Sequence, residues 1–597
     1  MAKEKTKKMV FEIAWEVVNK VGGIYTVLSS KAQEMTEEYK DSYFLIGPYF
    51  AEKTKGEFEE KPAPEILKNI FAELEKEDGL RFHFGKWLIK GEPQVILIDF
   101  KDFWQKANQI KTDLWNDFQI DSLAAGEDFT EPVVWSTAAG KLLQKIAETT
   151  GKEKIAAHFH EWLAGAGLLF LKKNKSRIKT IFTTHATSLG RTLAYNNIEF
   201  YNFIKDIDPQ KEAARLNVTA KHLLEKSTAV NCDIFTTVSE ITALEAEYFL
   251  QRKPELILPN GLNEEQFPSF EELMIEHKIH RNRLRNFLLF YFFPYYSFDL
   301  EQTLFFFTAS RYEVRAKGID IFIKSLGELN KKMRQEKTKK TIVAFLLVPA
   351  QARAIKTEIL ESREFLNDIK NSLEEVAEQT EERMLYIMAR GKEITEETLF
   401  NKDFIFEIEK KFLKLKRKGN PPLSTHDLMD NQDVILKLLV EAGLDNKPDD
   451  KVKVVFYPIY LTGHDGLANL TYEEFLKASH LGVFPSFYEP WGYTPLETAG
   501  FGAPSITTDL TGFGRALDKM KQKKYPGIFV IKRDQQKDEH VIGDLTQTMF
   551  DFSLYSRQER VENKISAKNI SHEFGWKKLA KNYFKARELA LTGKLSF

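Results

Sequence analysis

Short apolar runs rich in Val, Ile and Phe recur along the chain, separated by longer stretches in which apolar residues return every three or four positions. In the first half the runs are MVFEIAW, YFLIGPY, QVILIDF, KIAAHFH, IKTIFTT and DIFTTVS. After Gly261 they are TLFFFTA, TIVAFLLVP, KVVFYP, HLGVFPS, PSITT and GIFVI. Continuous runs, as opposed to strict alternation, suit strands covered on both faces. Their alternation with helical patterns predicts parallel sheets in α/β domains.

Two such series predict two Rossmann-like, doubly wound domains with a seam near residues 258–263, LPNGLN. Between about residues 350 and 430 the strand signal disappears. Leu366, Ile369, Leu373 and Val376 keep three-four spacing on a charged background, which predicts an amphipathic helix. FIFEIEKKFLKLK predicts another before the break at Pro421 and Pro422. Pattern alone leaves this insertion two placements, packed on its own domain or forming a seam between subunits. GWKKLAKNYFKARELAL predicts a terminal helix able to cross back to the first domain. The expected bounds are 1–265, then 266–574 with the helical insertion at about 350–430, then 575–597.

Length and charge narrow the classes of function. A chain of 597 residues exceeds what one hydrophobic core organises. With 86 basic and 87 acidic side chains, there is no global electrostatic reason for a nucleic-acid or anionic-membrane partner. The greasiest stretch, FLLFYFF at 287–293, stops at Pro294 and is too short to span a bilayer. The basic start MAKEKTKKMVFEIAW lacks the apolar run of a signal peptide. The single cysteine, Cys232, excludes an intrachain disulfide and suits a cytoplasmic protein.

Four segments carry candidate chemistry. In NKVGGIYTVL, Gly22 and Gly23 let backbone approach a ligand ahead of a helix whose free N–H groups suit an anion, with Lys20 adding charge; a plain strand-to-helix turn has the same spelling. In HFHEWLAG and IFTTHATSLGR, His160, His185 and Arg191 follow strand-like runs, at the edge where open parallel sheets bind ligands. His158 and His160 share a strand face, but no further ligand motif accompanies them, so no metal is expected. In ASRYEVRAKGID, Arg311, Arg315 and Lys317 suit a diphosphate whose charge grows as it leaves, or form a solvated basic loop partnered by Glu313. The densest segment is residues 480–514. There Thr494-Pro495-Leu496-Glu497 reads as a helix start with a capping-box glutamate, whereas Glu489, on a Pro490-Trp491-Gly492 loop, has no such local use.

These segments, in this order, closely resemble the eukaryotic-type glycogen synthase family, glycosyltransferase family 3. The likeness runs through FEIAWEVVNKVGGIYTVLSSKA, HFHEWLAG, TTHATSLGR, DIFTTVSEITALEAEYFLQRKPELILPNGLN, SRYEVRAKGIDIFI and FPSFYEPWGYTPLETAGFGAPSITT, and resumes at the terminal helix. It implies a GT-B fold, two Rossmann-like domains facing a cleft, and retaining transfer of glucose from UDP-glucose to the non-reducing end of an α-1,4-glucan. Neither metal nor cofactor is implied. By matching motif, Lys20 and Gly23 would meet the donor phosphates, His185 and Arg191 the donor glucose and its phosphate. Arg311 and Lys317 would stabilise the departing diphosphate, and Asn260 would line the cleft. Tyr472 would stack on the base, Glu489 would lie near the transferred glucose, and Glu497 would hold the ribose. Trp491, Gly492 and Thr494 would complete the pocket. The helical insertion matches the family's subunit-contact helices, which implies a homotetramer.

One part of the pattern is thinned. Where animal and fungal members carry an arginine-rich helix that senses glucose 6-phosphate, this chain reads ERVENKISAKNISHEF, with Arg560, Lys564 and Lys568 interrupted by Glu559 and Glu562. Around residues 271–280 only His277 looks retained. Little or no activation by glucose 6-phosphate is expected. The rival readings are an ADP-glucose-dependent starch synthase-like transferase, a pyridoxal-dependent phosphorylase, for which no cofactor-lysine segment is present, and an inactive glucan-binding scaffold, against which Glu489, Arg311 and Lys317 stand.

Overall fold

The computed structural model of the chain describes residues 8–151, 154–430, 432–520 and 524–593, with backbone alone at 396–397. The basic start of the first expected domain (1–7) and the last four residues of the terminal segment (594–597) lie outside the described residues. Two sheets carry the fold. The first has nine strands, in spatial order Phe58–Glu60, Arg81–Trp87, Gln94–Asp99, Tyr43–Pro48, Lys8–Ile13, Lys154–His160, Lys179–Thr184, Ile234–Thr237 and Leu256–Ile257. The second has six, in order Val452–Tyr457, Thr341–Leu347, Thr303–Ala309, Leu481–Val483, Ser505–Thr508 and Ile528–Ile531. Each of the twelve apolar runs forms a strand, and all twelve lie in parallel pairings.

Both faces of each sheet are covered, as continuous apolar runs require. The helix Glu127–Thr150 buries Trp135, Leu142 and Leu143 in the core of the first domain. It approaches the helix Gly165–Lys173 so closely that a Cβ on Gly140 would lie 2.7 Å from the Gly167 carbonyl. In the second domain Phe305, Phe307 and Phe345 pack on the helix Phe270–Tyr291. Phe306 and Leu346 point the other way, into a core with Phe322 and Leu326 of the helix Ile319–Gln335. The greasy 287–293 stretch is the end of that first helix and the turn after it, buried against the sheet. No helix among the described residues is long and apolar enough to cross a membrane.

Five strands are missing from the apolar pattern: four lie in antiparallel pairings, and the fifth, Leu256–Ile257, is a two-residue parallel strand at the sheet edge. Phe58–Glu60 and Arg81–Trp87 pair antiparallel at one edge of the first sheet, half in solvent, so their side chains alternate and leave no apolar run. Ala352–Ile355 and His426–Leu428 form an antiparallel ribbon where the insertion leaves and rejoins its domain. Between them lie the helices Thr357–Glu375, Ala377–Ala389, Glu396–Leu399 and Lys402–Leu415. The first buries Ile359, Leu366 and Ile369, whereas Leu373 is exposed and Val376 falls just past its end. Further out, Leu385, Tyr386, Phe406, Phe412 and Leu413 stand exposed.

The terminal helix Trp576–Thr592 crosses back to the first domain and packs on the helix Gly23–Tyr39. Trp576, Tyr583 and Arg587 are fully buried, and the Trp576 indole donates to Ser30 Oγ at 2.7 Å. At the crossing, Leu262 and Gly575 form a parallel bridge: Leu262 N–H donates to Phe574 O at 2.9 Å and Trp576 N–H to Leu262 O at 3.1 Å. Gly261 lies flat on the indole, where a Cβ would come within 2.8 Å of the ring. Trp576→Ala is expected to destabilise the chain by about 3–5 kcal/mol, the usual cost of emptying a buried aromatic site. A thermal melt with limited proteolysis checks this: the melt should fall and cleavage should begin in the terminal helix, and an unchanged melt would show that the helix is dispensable.

Candidate active site

The carboxyl ends of both sheets open on one cavity of about 930 Å³. Such edges collect ligand-binding side chains because every parallel strand hands its following loop to the same side. Gly23, His185, Arg191 and Asn260 line it from the first domain, and Arg311, Lys317, Glu489, Trp491, Gly492 and Thr494 from the second. Ten of the fourteen residues named from sequence therefore meet in one place.

On the first side, Thr187 caps the helix Ser188–Tyr195 by accepting the Gly190 N–H at 3.0 Å, which sets Arg191 on the helix's cleft side. Arg191 is open to the cleft solvent yet shut in by protein around it. Burial works against its charge, but the carboxylates of Glu161, Glu225 and Glu16, together with Tyr488, raise its pKa above the ordinary arginine value. Glu161, directly after the strand Lys154–His160, has φ +65° with an extended ψ, a conformation that non-glycine residues rarely hold. Its carboxylate accepts the backbone N–H of His185 at 2.9 Å and of Ala186 at 3.0 Å, and burial pushes its pKa up to about 7. His185 is pushed down to about 3 by burial, with Lys31 and Arg191 adding to the effect, and is therefore a neutral imidazole at pH 7.

On the second side, Glu489 and Lys317 form an ion pair, and the lysine side chain is only 13% exposed. Arg311 is 72% exposed and pairs with Glu313 at 3.0 Å, so the partner foreseen for a basic loop is present, with both residues on the cavity wall. The Glu489 loop is stitched to residues 511–513: Gly512 N–H donates to Glu489 O at 3.0 Å and Phe513 N–H to Trp491 O at 2.7 Å. The Trp491 ring packs on Phe513 and Phe574, holding the loop from behind, and its Nε1 has no partner among the described residues.

Several expectations need correction. The helix expected to start at a Thr494 cap begins at Tyr493, with Gly492 as its N-cap at φ +106° and no side-chain cap. A left-handed glycine turns the chain one step earlier, and Glu497 has no capping role. The Gly22–Gly23 helix start is served by the protein itself: Glu16 accepts the N–H of Gly22 and of Tyr25, both at 2.8 Å. A Cβ on Gly23 would meet nothing within 4 Å, which leaves open space at that point of the cleft. Lys20 is exposed, turned toward the Tyr25 ring and off the cavity wall. His160 is buried behind His185, with its Nδ1 3.0 Å from His185 Nε2. Tyr472 opens the helix Tyr472–Ala478 and packs on the core of the second domain, away from the main cavity. Glu497 lines a smaller neighbouring cavity of about 300 Å³. Burial, with Glu473 beside it, pushes its pKa up to about 7. Arg315 is taken up by Asp320 at 2.7 Å, by Asp538 at 2.7 Å and by Glu199 of the first domain at 2.7 Å.

Two further groupings were not legible as spacing. Glu12 reaches His158 and His160 from the neighbouring strand, giving a buried carboxylate–histidine trio within metal-ligand reach. Lys31 and Arg587 already hold that carboxylate, and two cations there oppose a third. The helix Arg557–Glu573 carries Arg557, Arg560, Lys564 and Lys568, and Arg281 of the helix Phe270–Tyr291 stands beside Lys564. Lys564 lies 3.2 Å from His277 and is pushed down to about 7 by burial, with Arg281 and Arg560 adding to the shift. Glu16 and Glu161 are cavity residues that the motifs contain but that were not singled out. For Glu161, the signal was its place immediately after a strand.

A family model described as glycogen synthase matches residues 12–595. A glycogen [starch] synthase of Dictyostelium discoideum is 38% identical over 587 residues, covering 98% of this chain and 66% of that protein. The Neurospora crassa glycogen [starch] synthase is 37% identical over 598 residues, 99% of this chain and 84% of that protein. The liver glycogen [starch] synthase of Homo sapiens is 35% identical over 587 residues, 98% and 83% respectively. Among solved structures, the catalytic domain of starch synthase IV from Arabidopsis thaliana superposes with TM-score 0.52 at 13% identity, covering 98% of this chain and 99% of that one, a likeness of GT-B fold. Matched along nearly its whole length and built around a cleft between two such sheets, the chain belongs to the glycogen synthase family and is a glycosyltransferase.

Proposed function

We propose that the chain transfers glucose from UDP-glucose to the non-reducing end of an α-1,4-glucan such as glycogen, with retention of configuration and without a metal or cofactor. The observation that carries this reading is the Lys317–Glu489 pair on the second domain, with Arg311 beside it, in one cavity with neutral His185 and charged Arg191 of the first. Arg311 and Lys317 stabilise the diphosphate as it leaves, since charge that develops only in the transition state is where fixed cations lower a barrier. Arg191 holds the same diphosphate from the opposite wall. His185 hydrogen-bonds the glucose. Gly23 and the amides around Gly492 and Thr494 let phosphate oxygens approach backbone, with Asn260 and Trp491 shaping the pocket between them. Lys20, Tyr472 and Glu497 serve the nucleotide end once the cleft closes on it.

A retaining glycosidase uses two carboxylates, one of them as a nucleophile. Here Glu489 is engaged by Lys317, which suits a carboxylate that stabilises positive charge on the glucose more than one that attacks it. The C1–O bond to the diphosphate breaks first. The leaving phosphate oxygen then takes the proton from the glucan 4-hydroxyl as that oxygen bonds to C1 on the same face. Closure of the domains keeps water from the cation.

A cytoplasmic homotetramer belongs to the same reading, and the exposed Leu385, Tyr386, Phe406, Phe412 and Leu413 on the insertion supply an apolar surface for subunit contact.

Nucleotide release with glycogen is expected from UDP-glucose and not from ADP-glucose; release from ADP-glucose alone would overturn the donor assignment, and none from either would return the scaffold reading. Lys317→Ala is expected to lower kcat roughly 10²–10³-fold, the usual effect of removing one preorganised group from a developing anion. Mass spectrometry of a quenched reaction should show no glucose on Glu489, and a trapped adduct there would contradict the route. Sedimentation should give a tetramer for the native chain and smaller species for a Leu385→Glu, Leu413→Glu variant; a native monomer would remove the insertion's assigned role.

A further inference from the structure

Behind the cleft lies a row of buried polar side chains that the proposed reaction does not use. Glu12, His158 and His160 are fully buried, on adjacent strands in register, with Glu12 opposite His158. Every strong bond to Glu12 comes from a donor: Lys31 Nζ at 2.9 Å and Arg587 Nη2 on Oε1, Tyr43 OH at 2.7 Å on Oε2. Two cations and a phenol fix it as an ionised carboxylate. Burial works against its charge, yet Lys31 and Arg587 hold its pKa down to about 2. Two imidazole nitrogens left unpaired face it, His158 Nδ1 at 3.7 Å and His160 Nε2 at 4.0 Å from Oε1. His158 Nε2 is tied to Thr183 Oγ1 at 2.6 Å, so this histidine is anchored in the sheet. His160 instead turns its Nδ1 forward to His185 Nε2, at 3.0 Å.

A neutral imidazole carries one ring proton, and its neighbours decide where. A carboxylate facing His160 Nε2 favours the proton on that nitrogen. Nδ1 is then an acceptor, and the facing Nε2 of His185 must be the donor. His185 Nδ1, which has no partner among the described residues, is left as a bare lone pair. We propose that His160, ordered by Glu12, is a positioning residue for transfer: it accepts from His185 Nε2–H and so presents an unprotonated Nδ1 to the sugar. The site then demands a hydroxyl donor from its ligand at that point, and a carbonyl or fluorine there finds no partner. The consequence for turnover rests on the reaction proposed above; the protonation pattern does not.

The test uses the full chain labelled with ¹⁵N in its histidine rings, with His185 assigned from its loss in His185→Gln. The native protein should show His185 protonated at Nε2 and bare at Nδ1; a proton on Nδ1 overturns the proposal without any variant of His160. His160→Phe keeps an aromatic ring, somewhat larger than imidazole, and removes the acceptor. It should leave His185 as a mixture of tautomers and lower kcat roughly 10–100-fold, as loss of an orienting partner commonly does, with KM for UDP-glucose changed less than about threefold. His160→Asn restores an acceptor oxygen, and should bring back the Nε2–H form and most of kcat. If His185 keeps one tautomer and full kcat in a folded His160→Phe protein, His160 is only packing. If His160→Phe does not fold, His160→Asn decides: a folded Asn variant in which His185 is protonated at Nδ1 sinks the proposal. A native chain with no transferase activity would overturn the function proposed above while leaving the tautomer reading intact.

Discussion

In a parallel sheet every strand points the same way, so every outgoing loop leaves from one edge. Two such sheets facing each other bring loops from both to a single gap, and the candidate site residues gather there. Trp15, Glu161, His185, Arg311 and Glu489 come from different strand ends far apart in sequence, and meet only because the strands are parallel and both faces of each sheet are packed. The apolar runs that make the sheets are thus also what aims the polar loops.

That division explains what could be read from the sequence. Strands buried on both faces advertise themselves as continuous apolar runs, and each of the twelve was visible. Arg81–Trp87 was not, because a half-exposed edge strand alternates and spells RFHFGKW. The site was legible where loop chemistry is local: Arg191 behind a Thr187 cap, Lys317 and Glu489 on loops just past their strands. It was not legible where a partner arrives from another strand. Nothing near His158 and His160 in the chain announces Glu12, and nothing near Lys564 announces Arg281. The Thr494 start failed for a different reason: a left-handed Gly492 gave the backbone an earlier way into the helix than the capping pattern assumed.

The charges behind the cleft follow one logic. Buried ions are stable only when opposed, and here opposing charges are shared along a line: Arg587 and Lys31 with Glu12, Glu161 and Glu225 with Arg191. The imidazoles between these groups are kept neutral by burial, so they act by the direction of a hydrogen bond and not by charge. For the reaction proposed above, such neutrality favours the forming sugar cation, which a fixed positive imidazolium would oppose.

The crossing at Leu262 and Gly575 sets how the halves can move. The chain passes between the domains twice, and the bridge lays the two passages side by side. One tether would allow swivelling about any axis. Two adjacent tethers act as the two screws of a hinge plate: rotation about the line through them strains the tethers least, and has only to part the contacts across the cleft, such as Glu199 with Arg315, whereas twisting across it stretches one strand of the pair. The gap can therefore widen and narrow like a book while its two pages keep the same letters opposite each other.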